Sequence, residues 1–471
     1  MVDLNVVAMD SHGQVVTDLT RDELRISDNG KPQTIAFFHH RDSALGAAPT
    51  LGPNEISNRG GTNVPHATLI LFDLLNERFG TRGVTANQLI HDLESLESAD
   101  YVYLYCLTLD GRLYPIRGLP GVEPEAAPAG GVPWTRQIKP LMDAALRAVT
   151  QIRPVEDLDP TYRVEITYNA LSAVATELSR VPGRKSLVWL TDGIPIELGP
   201  HRSDTGDFVD FTPWLRQMSH AFDRSNVAIY PVRMVMIGSP ESMSGPGTMG
   251  MGSIETLDQF AGMTGGRPDF GKDIAAAVRQ AITDMRTSYQ VGYYPPAENW
   301  DGKLHKLRLT CTRKGVRIQA KTSYYAWQDA PGARAEQAIE SALPTTFDAA
   351  EIGLRGSLWR NPNGEGVHVD AHIDARDIVL IHEGDVYNGE LRLALAGYAG
   401  GKPMRGPVVP MDLHLSAQDR DKALQQGIPF AQDVTLPGQV EKIRVVVFDR
   451  GSNAIGSVTL PVPAAGGNKE N

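Results

Sequence analysis

The 471-residue chain has few cysteines and no long apolar run. Its two cysteines, Cys106 and Cys311, are too few for a disulfide framework or a four-cysteine zinc site. Both lie in strand-like runs, which predicts that each is a buried free thiol. No apolar run reaches the roughly 18 residues that a membrane-crossing helix needs, so a transmembrane segment is not expected.

Basic residues are also in deficit. Lys and Arg number 45 against 56 Asp and Glu, giving a net charge of -11. Non-specific nucleic-acid binding depends on a basic face, so the composition argues against a nucleic-acid partner. It also argues against docking on an anionic membrane surface.

The common catalytic motifs are missing. The sequence contains no phosphate-binding G-x-x-x-x-G-K-[ST], no H-E-x-x-H and no G-x-S-x-G, which excludes the usual signals of ATPases, zinc proteases and hydrolases. The stretch GPGTMG, residues 245–250, formally fits G-x-G-x-x-G. It contains a proline and lies in a Gly- and Met-rich stretch, so a dinucleotide site is not predicted there.

The middle of the chain alternates apolar strands with helical patterns. ATLILFD, DYVYLYCLTL, KSLVWLTDG and VAIYPVRMV are continuous apolar runs, as expected for parallel strands that helices cover on both faces. Amphipathic segments such as VTANQLIHDLESLES separate them. The pattern predicts a doubly wound α/β domain over residues 66–295, which includes the strand SYQVGYY.

The two ends of the chain have strand patterns instead. Residues 1–42 and 296–327 are each too short for a stable sheet, so we expect them to form one β-sandwich in which the α/β domain is inserted. Residues 43–65 and 328–350 are predicted linkers, the second with a short helix. Residues 351–464 predict a second β-sandwich, with a short helix that begins at Ser416, and residues 465–471 a disordered tail. The predicted fold class is therefore α/β plus β.

Two acidic residues end neighbouring apolar strands of the α/β domain. Asp73 closes LILFD and Asp192 closes LVWLTD. Ligands of open α/β sheets bind at the carboxyl ends of the strands. These two carboxylates therefore mark the candidate site.

Several segments resemble a known family. LILFDLLN, SLVWLTDGIP, DQFAGMTGGR and SYQVGYYPP are similar to von Willebrand factor type A domains, specifically to the acidobacterial von Willebrand factor A-related group. The resemblance covers roughly residues 2–327. It implies a Rossmann-like α/β fold and an exported protein, secreted or held in the periplasm or cell envelope.

Type A domains often carry a metal-ion-dependent adhesion site, with the pattern Asp-x-Ser-x-Ser, a later Thr and a later Asp. The resemblance carries these roles to Asp73, Thr167 and Asp192. The two serine positions are Leu75 and Glu77 here, so the site is degenerate.

Two hypotheses remain open for this site. Asp73, Asn76, Glu77, Thr167 and Asp192 together supply oxygen atoms for Mg²⁺, Mn²⁺ or Ca²⁺, and converging carboxylates attract a cation. In the alternative, the acids cap helices or bind loop amides and no cofactor is needed.

The sequence and the resemblance together predict a non-enzymatic extracytoplasmic protein that mediates adhesion, assembly or other protein–protein contact. Exposed sandwich edges suggest a protein partner or self-association by strand addition. One alternative is a divalent-metal-dependent receptor that uses the rim of Asp73 and Asp192. A second alternative is a hydrolase, which no catalytic motif supports.

Overall fold

The computed structural model describes residues 1–42, 51–52, 54–59, 67–77, 82–96, 101–119, 134–136, 138–150, 160–181, 184–194, 201–202, 208–233, 250–269, 273–327, 332–345, 348–361, 366–435 and 440–463. Most of the loop that follows Val232, including the Met-rich stretch, lies outside these residues, as does the tail predicted for residues 465–471.

The described residues form 24 β-strands and eight α-helices. The strands are β1 (Val2–Met9), β2 (Leu24–Asp28), β3 (Lys31–Gln33), β4 (Phe37–Asp42), β5 (Ile56–Ser57), β6 (Ala67–Asp73), β7 (Val102–Leu107), β8 (Leu113–Arg117), β9 (Lys185–Leu190), β10 (His201–Arg202), β11 (Phe208–Val209), β12 (Val227–Val232), β13 (Thr287–Tyr293), β14 (Leu304–Cys311), β15 (Arg317–Gln319), β16 (Ser323–Tyr325), β17 (Leu354–Arg360), β18 (Val367–Ile373), β19 (Ile381–Glu383), β20 (Val386–Ala399), β21 (Lys402–Leu415), β22 (Ile428–Val434), β23 (Lys442–Asp449) and β24 (Ile455–Pro461). The α-helices are α1 (Arg82–Glu94), α2 (Ile138–Thr150), α3 (Pro160–Ser179), α4 (Thr212–Arg224), α5 (Gly250–Thr264), α6 (Ile274–Arg286), α7 (Ala333–Ala342) and α8 (Ala417–Gln426).

A five-stranded mixed sheet forms the centre of the α/β part, in the order β12-β9-β6-β7-β8. The first four strands are parallel, and β8 returns antiparallel to β7. Every residue of β6, β7, β9 and β12 is buried, which explains their continuous apolar sequences. One large core joins this sheet to α1–α6. The sheet places the carboxyl ends of β6 and β9 side by side.

Strands from both sides of the α/β part pair with one another. One antiparallel sheet has the order β15-β1-β13-β4, and a second has the order β16-β14-β2-β3. The strand β13 was predicted to belong to the α/β domain, but it pairs with β1 and β4. The reason is its two-residue periodicity, which buries Tyr289, Val291 and Tyr293 in the core of these two sheets.

The C-terminal part contains two further antiparallel sheets. One has the order β22-β18-β17-β5, and the other has the order β19-β20-β23-β24, with β21 paired to β20. The predicted linker over residues 43–65 thus contributes a strand, because β5 pairs with β17. The next residue, Asn58, is fully buried and its amide donates to the carbonyls of Ala349 and Ile352, at 2.6 and 2.8 Å.

The molecule is therefore a mixed α/β protein with one five-stranded mixed sheet and several antiparallel sheets. Cys106 is a buried free thiol as predicted, whereas Cys311 is only partly buried because it ends β14 near the rim of its sheet. Ser416 caps α8 by accepting a hydrogen bond from the Asp419 amide, as predicted. No helix among the described residues combines the length and apolarity needed to cross a membrane.

Candidate functional site

Asp73 lies at the carboxyl end of β6, between β7 and β9, and is fully buried. Its Oδ1 accepts a hydrogen bond from the Asn76 backbone amide at 3.0 Å. Its Oδ2 accepts three more, from Asn76 Nδ2 at 2.8 Å, Trp189 Nε1 at 3.0 Å and Thr191 Oγ1 at 3.1 Å. The carboxylate therefore joins the end of β6 to the turn that follows it and to β9.

Asn76 extends these contacts to helix α3. Its Nδ2 also donates to Thr167 Oγ1 at 2.8 Å, and its Oδ1 accepts from Arg163 Nη2 at 3.0 Å. Thr167 Oγ1 in turn donates to the Arg163 carbonyl, one helical turn earlier. We call Asp73, Asn76, Arg163, Thr167, Trp189 and Thr191 the strand-end cluster.

Thr191 also fixes the turn after β9. Its hydroxyl donates to Asp73 and accepts from the Gly193 amide at 3.1 Å. Gly193 has a φ of 112°, a backbone region that favours glycine. The turn therefore places Thr191, and not the adjacent Asp192, against Asp73.

The other two predicted site residues point to different partners. Glu77 is buried, and its Oε1 accepts from Thr85 Oγ1 of α1 at 2.6 Å. Asp192 has its Oδ1 3.9 Å from Arg233 Nε, beyond the end of β12. The structure thus brings Asp73, Asn76 and Thr167 together, while Glu77 and Asp192 contact neighbouring elements.

Burial raises the pKa of the Asp73 carboxyl above its usual value, and the hydrogen bonds from Asn76, Trp189 and Thr191 offset part of this effect. Cationic side chains lie around the cluster as well. Arg163 contacts Asn76, Arg82 Nε donates to the Glu77 carbonyl at 3.1 Å, and Arg233 faces Asp192. Arginine side chains and neutral donors therefore surround the acidic residues.

This arrangement does not fit a divalent cation. Octahedral coordination of Mg²⁺ needs accessible oxygen lone pairs, but Asp73 is fully buried, its Oδ2 already accepts three hydrogen bonds and its Oδ1 accepts one. Leu75 replaces the first serine of the adhesion-site pattern and is fully buried. The described residues also contain no group of three His, Cys, Asp or Glu side chains suited to a metal.

Sequence reasoning missed three members of the cluster: Arg163, Trp189 and Thr191. Two of them carried a usable signal. The indole N–H of a buried tryptophan needs an acceptor, and Trp189 lies on a strand predicted to adjoin that of Asp73. Arg163 precedes Thr167 by four residues, which places both on one face of a helix.

Comparison with protein-family models finds no match, and comparison with curated proteins finds no significant similarity. The resemblance to the von Willebrand factor A-related group therefore stays a prediction.

Proposed function

We propose that the chain is a non-enzymatic, extracytoplasmic protein that mediates adhesion or assembly through contact with protein partners or with itself. In this proposal a von Willebrand factor A-like domain is inserted in one β-sandwich and followed by a second. The alternating strands of the α/β part and the pairing of β1–β4 with β13–β16 support that architecture.

The observation that carries this proposal is the hydrogen bonding of Asp73. A cation bound at Oδ2 would compete with the three donors there, and a hydrogen bond to a charged group contributes about 1.5–3 kcal/mol. In this proposal the cluster stabilises the strand ends through its hydrogen bonds. This favours a metal-independent binding protein over the metal-dependent receptor.

Metal-independent contact requires a surface, and the sheet edges offer one. The 14-residue strand β21 pairs only with β20 among the described strands, but it contains Pro403, Pro407 and Pro410. Proline in a paired strand turns its missing N–H away from the ladder. The free edge of β21 is therefore poor in donors and poorly suited to strand addition.

The strand β22 is a better edge. Among the described strands it pairs with β18 alone, and it contains a single proline, Pro429. Because Pro429 lacks an N–H, its position opposite His372 is a non-hydrogen-bonded pair. Ala431 and Asp433 share its orientation, so their N–H and C=O groups face away from β18. Strand addition is therefore expected along this edge.

Sedimentation velocity across a range of protein concentrations tests the proposal. The variant Ala431→Pro removes one outward donor without removing a bond to β18, whereas Ala431→Ser keeps that donor and serves as the matched control. We expect concentration-dependent association of the wild type and the control, and weaker association of Ala431→Pro. A wild type that stays monomeric, or a proline variant that associates equally well, would contradict self-assembly through β22.

A further inference from the structure

A cleft of about 760 Å³ opens where the N-terminal sheets, helices α4 and α7 and the C-terminal sheets meet. Its volume lies within the range of roughly 300–1,000 Å³ that is typical of sites for small organic ligands. The cleft does not include the strand-end cluster or β22. It is therefore separate from the surfaces used in the proposed function.

Aromatic side chains from residues 294–327 line part of the cleft. Tyr294 and Trp327 are 53% and 52% exposed, the two most exposed large hydrophobic side chains among the described residues. Trp300 and Tyr325 add two partly buried rings. Arg216 lies over the Tyr325 ring and the His220 ring is 6.2 Å from that of Trp327, but Tyr294 and Trp327 each keep about half of their surface available to a ligand.

Polar side chains from the C-terminal sheets line another part. Asn388 Nδ2 donates to Glu383 Oε2 at 3.0 Å, and Nδ1 of His414 lies 2.8 Å from Asn388 Oδ1. These three side chains form one hydrogen-bonded row along β19, β20 and β21. The hydrogen bonds within this row fix the orientation of the three side chains, which still have donor and acceptor positions left for a ligand.

The charges that line the cleft are largely neutralised within the protein. Glu390 forms a 2.5 Å ion pair with Arg450, and Asp412 lies 3.6 Å from Arg392. Asp223 binds both Lys321 and Arg334. The lining thus favours an uncharged polar ligand over an ion, because a charged ligand would have to compete with these pairs.

We propose that this cleft binds a neutral oligosaccharide. A pyranose ring has an apolar C–H face and a rim of hydroxyl groups. The apolar face matches the rings of Tyr294 and Trp327, and the hydroxyl rim matches the row Glu383–Asn388–His414. The rings and the polar row line the same cleft and come from different parts of the chain, so the proposed ligand would span both.

Calorimetric titration with neutral tetrasaccharides of glucose, mannose, xylose and N-acetylglucosamine tests this proposal. We expect at least one to bind the wild type saturably. Trp327→Ala should weaken that binding by about tenfold or more, because a stacked ring is lost, and Asn388→Ala should weaken it through the loss of the polar row. Tyr114→Ala removes a 43%-exposed aromatic ring outside the cleft and serves as the matched control.

The outcomes are distinct. Binding that Trp327→Ala weakens and Tyr114→Ala leaves unchanged supports the cleft as a glycan site. Failure of every tetrasaccharide to bind the wild type overturns it, as does binding that Trp327→Ala leaves unchanged. A proline-rich peptide that binds in the cleft while the sugars do not would also overturn it. Because β22 is not part of the cleft, these results do not depend on self-association.

Discussion

Asp73 provides the most direct test of the strand-end cluster. Asp73→Ala leaves the Asn76 amide, Asn76 Nδ2, Trp189 Nε1 and Thr191 Oγ1 without their acceptor in a buried position. At the lower end of about 1–3 kcal/mol per unsatisfied donor, the expected loss in the free energy of unfolding is about 4 kcal/mol. That is a large share of a typical total of about 5–15 kcal/mol.

Asp73→Asn is the finer variant. One carbonyl oxygen can replace Oδ2 and keep three donors, but the new NH₂ group then faces the Asn76 backbone amide. We expect a smaller loss of about 2–3 kcal/mol, because the Asn76 amide and the new NH₂ group are both left without an acceptor. Urea denaturation followed by tryptophan fluorescence and circular dichroism measures both losses. Asp258→Asn, at an exposed position of α5, is the matched control.

The contribution of Asp73 to stability changes with pH in a defined direction. Burial raises the pKa of Asp73, so between the unfolded-state pKa of about 4 and the higher folded-state pKa the native protein binds more protons. The contribution of Asp73 to the free energy of unfolding is therefore present at low pH and is lost as the pH rises through the folded-state pKa. The stability advantage of wild type over Asp73→Asn should decrease across this window. A difference that is constant with pH, or an Asp73→Ala variant as stable as wild type, would refute the reasoning.

Two other substitutions, at Gly266 and Arg444, test the packing of the α/β part and of the C-terminal part. A Cβ at Gly266 would lie 1.9 Å from the Ile229 carbonyl oxygen of β12, so Gly266→Ala should lower the melting temperature strongly, while Gly83→Ala in α1 meets nothing within 4 Å and should not. Equal melting temperatures of the two variants would contradict this. Arg444 is 2% exposed, donates to the carbonyls of Ala342, Leu343 and Thr345 at and after the end of α7, and has its Nε 3.3 Å from Asp348 Oδ1. Arg444→Met leaves this largely buried carboxylate without its cationic partner, so it should lower the free energy of unfolding in urea denaturation by about 3–5 kcal/mol. Arg308→Met, on an exposed position of β14, is its control, and a similar cost for both would refute the capping role.

The sequence predicted the strands that carry the site. The segments LILF and LVWL, just before Asp73 and Thr191, have no polar position, and both lie in fully buried parallel strands. Asn76 and Thr167 were candidates only through the resemblance and the residue types, yet they do contact one another. These successes rest on local pattern, which a single sequence contains.

Contacts between segments that are distant in the chain could not be predicted from the sequence. Arg163 contacts Asn76 across 87 positions, and Trp189 reaches Asp73 across 116. The pairing of β5 with β17 joins residues about 300 positions apart in a segment rich in Gly and Pro, whose composition indicated only a linker. Such partners depend on the packing of whole elements rather than on local periodicity.

We expect the strand-end cluster to stabilise the site through hydrogen bonds and not through a cation. Calorimetric titration of Mg²⁺, Mn²⁺ and Ca²⁺ into wild type and Asp73→Asn tests it most directly. We predict no saturable binding to either protein, because both oxygens of Asp73 are already engaged. Saturable binding to wild type that Asp73→Asn abolishes would contradict the claim and would establish a metal-dependent site.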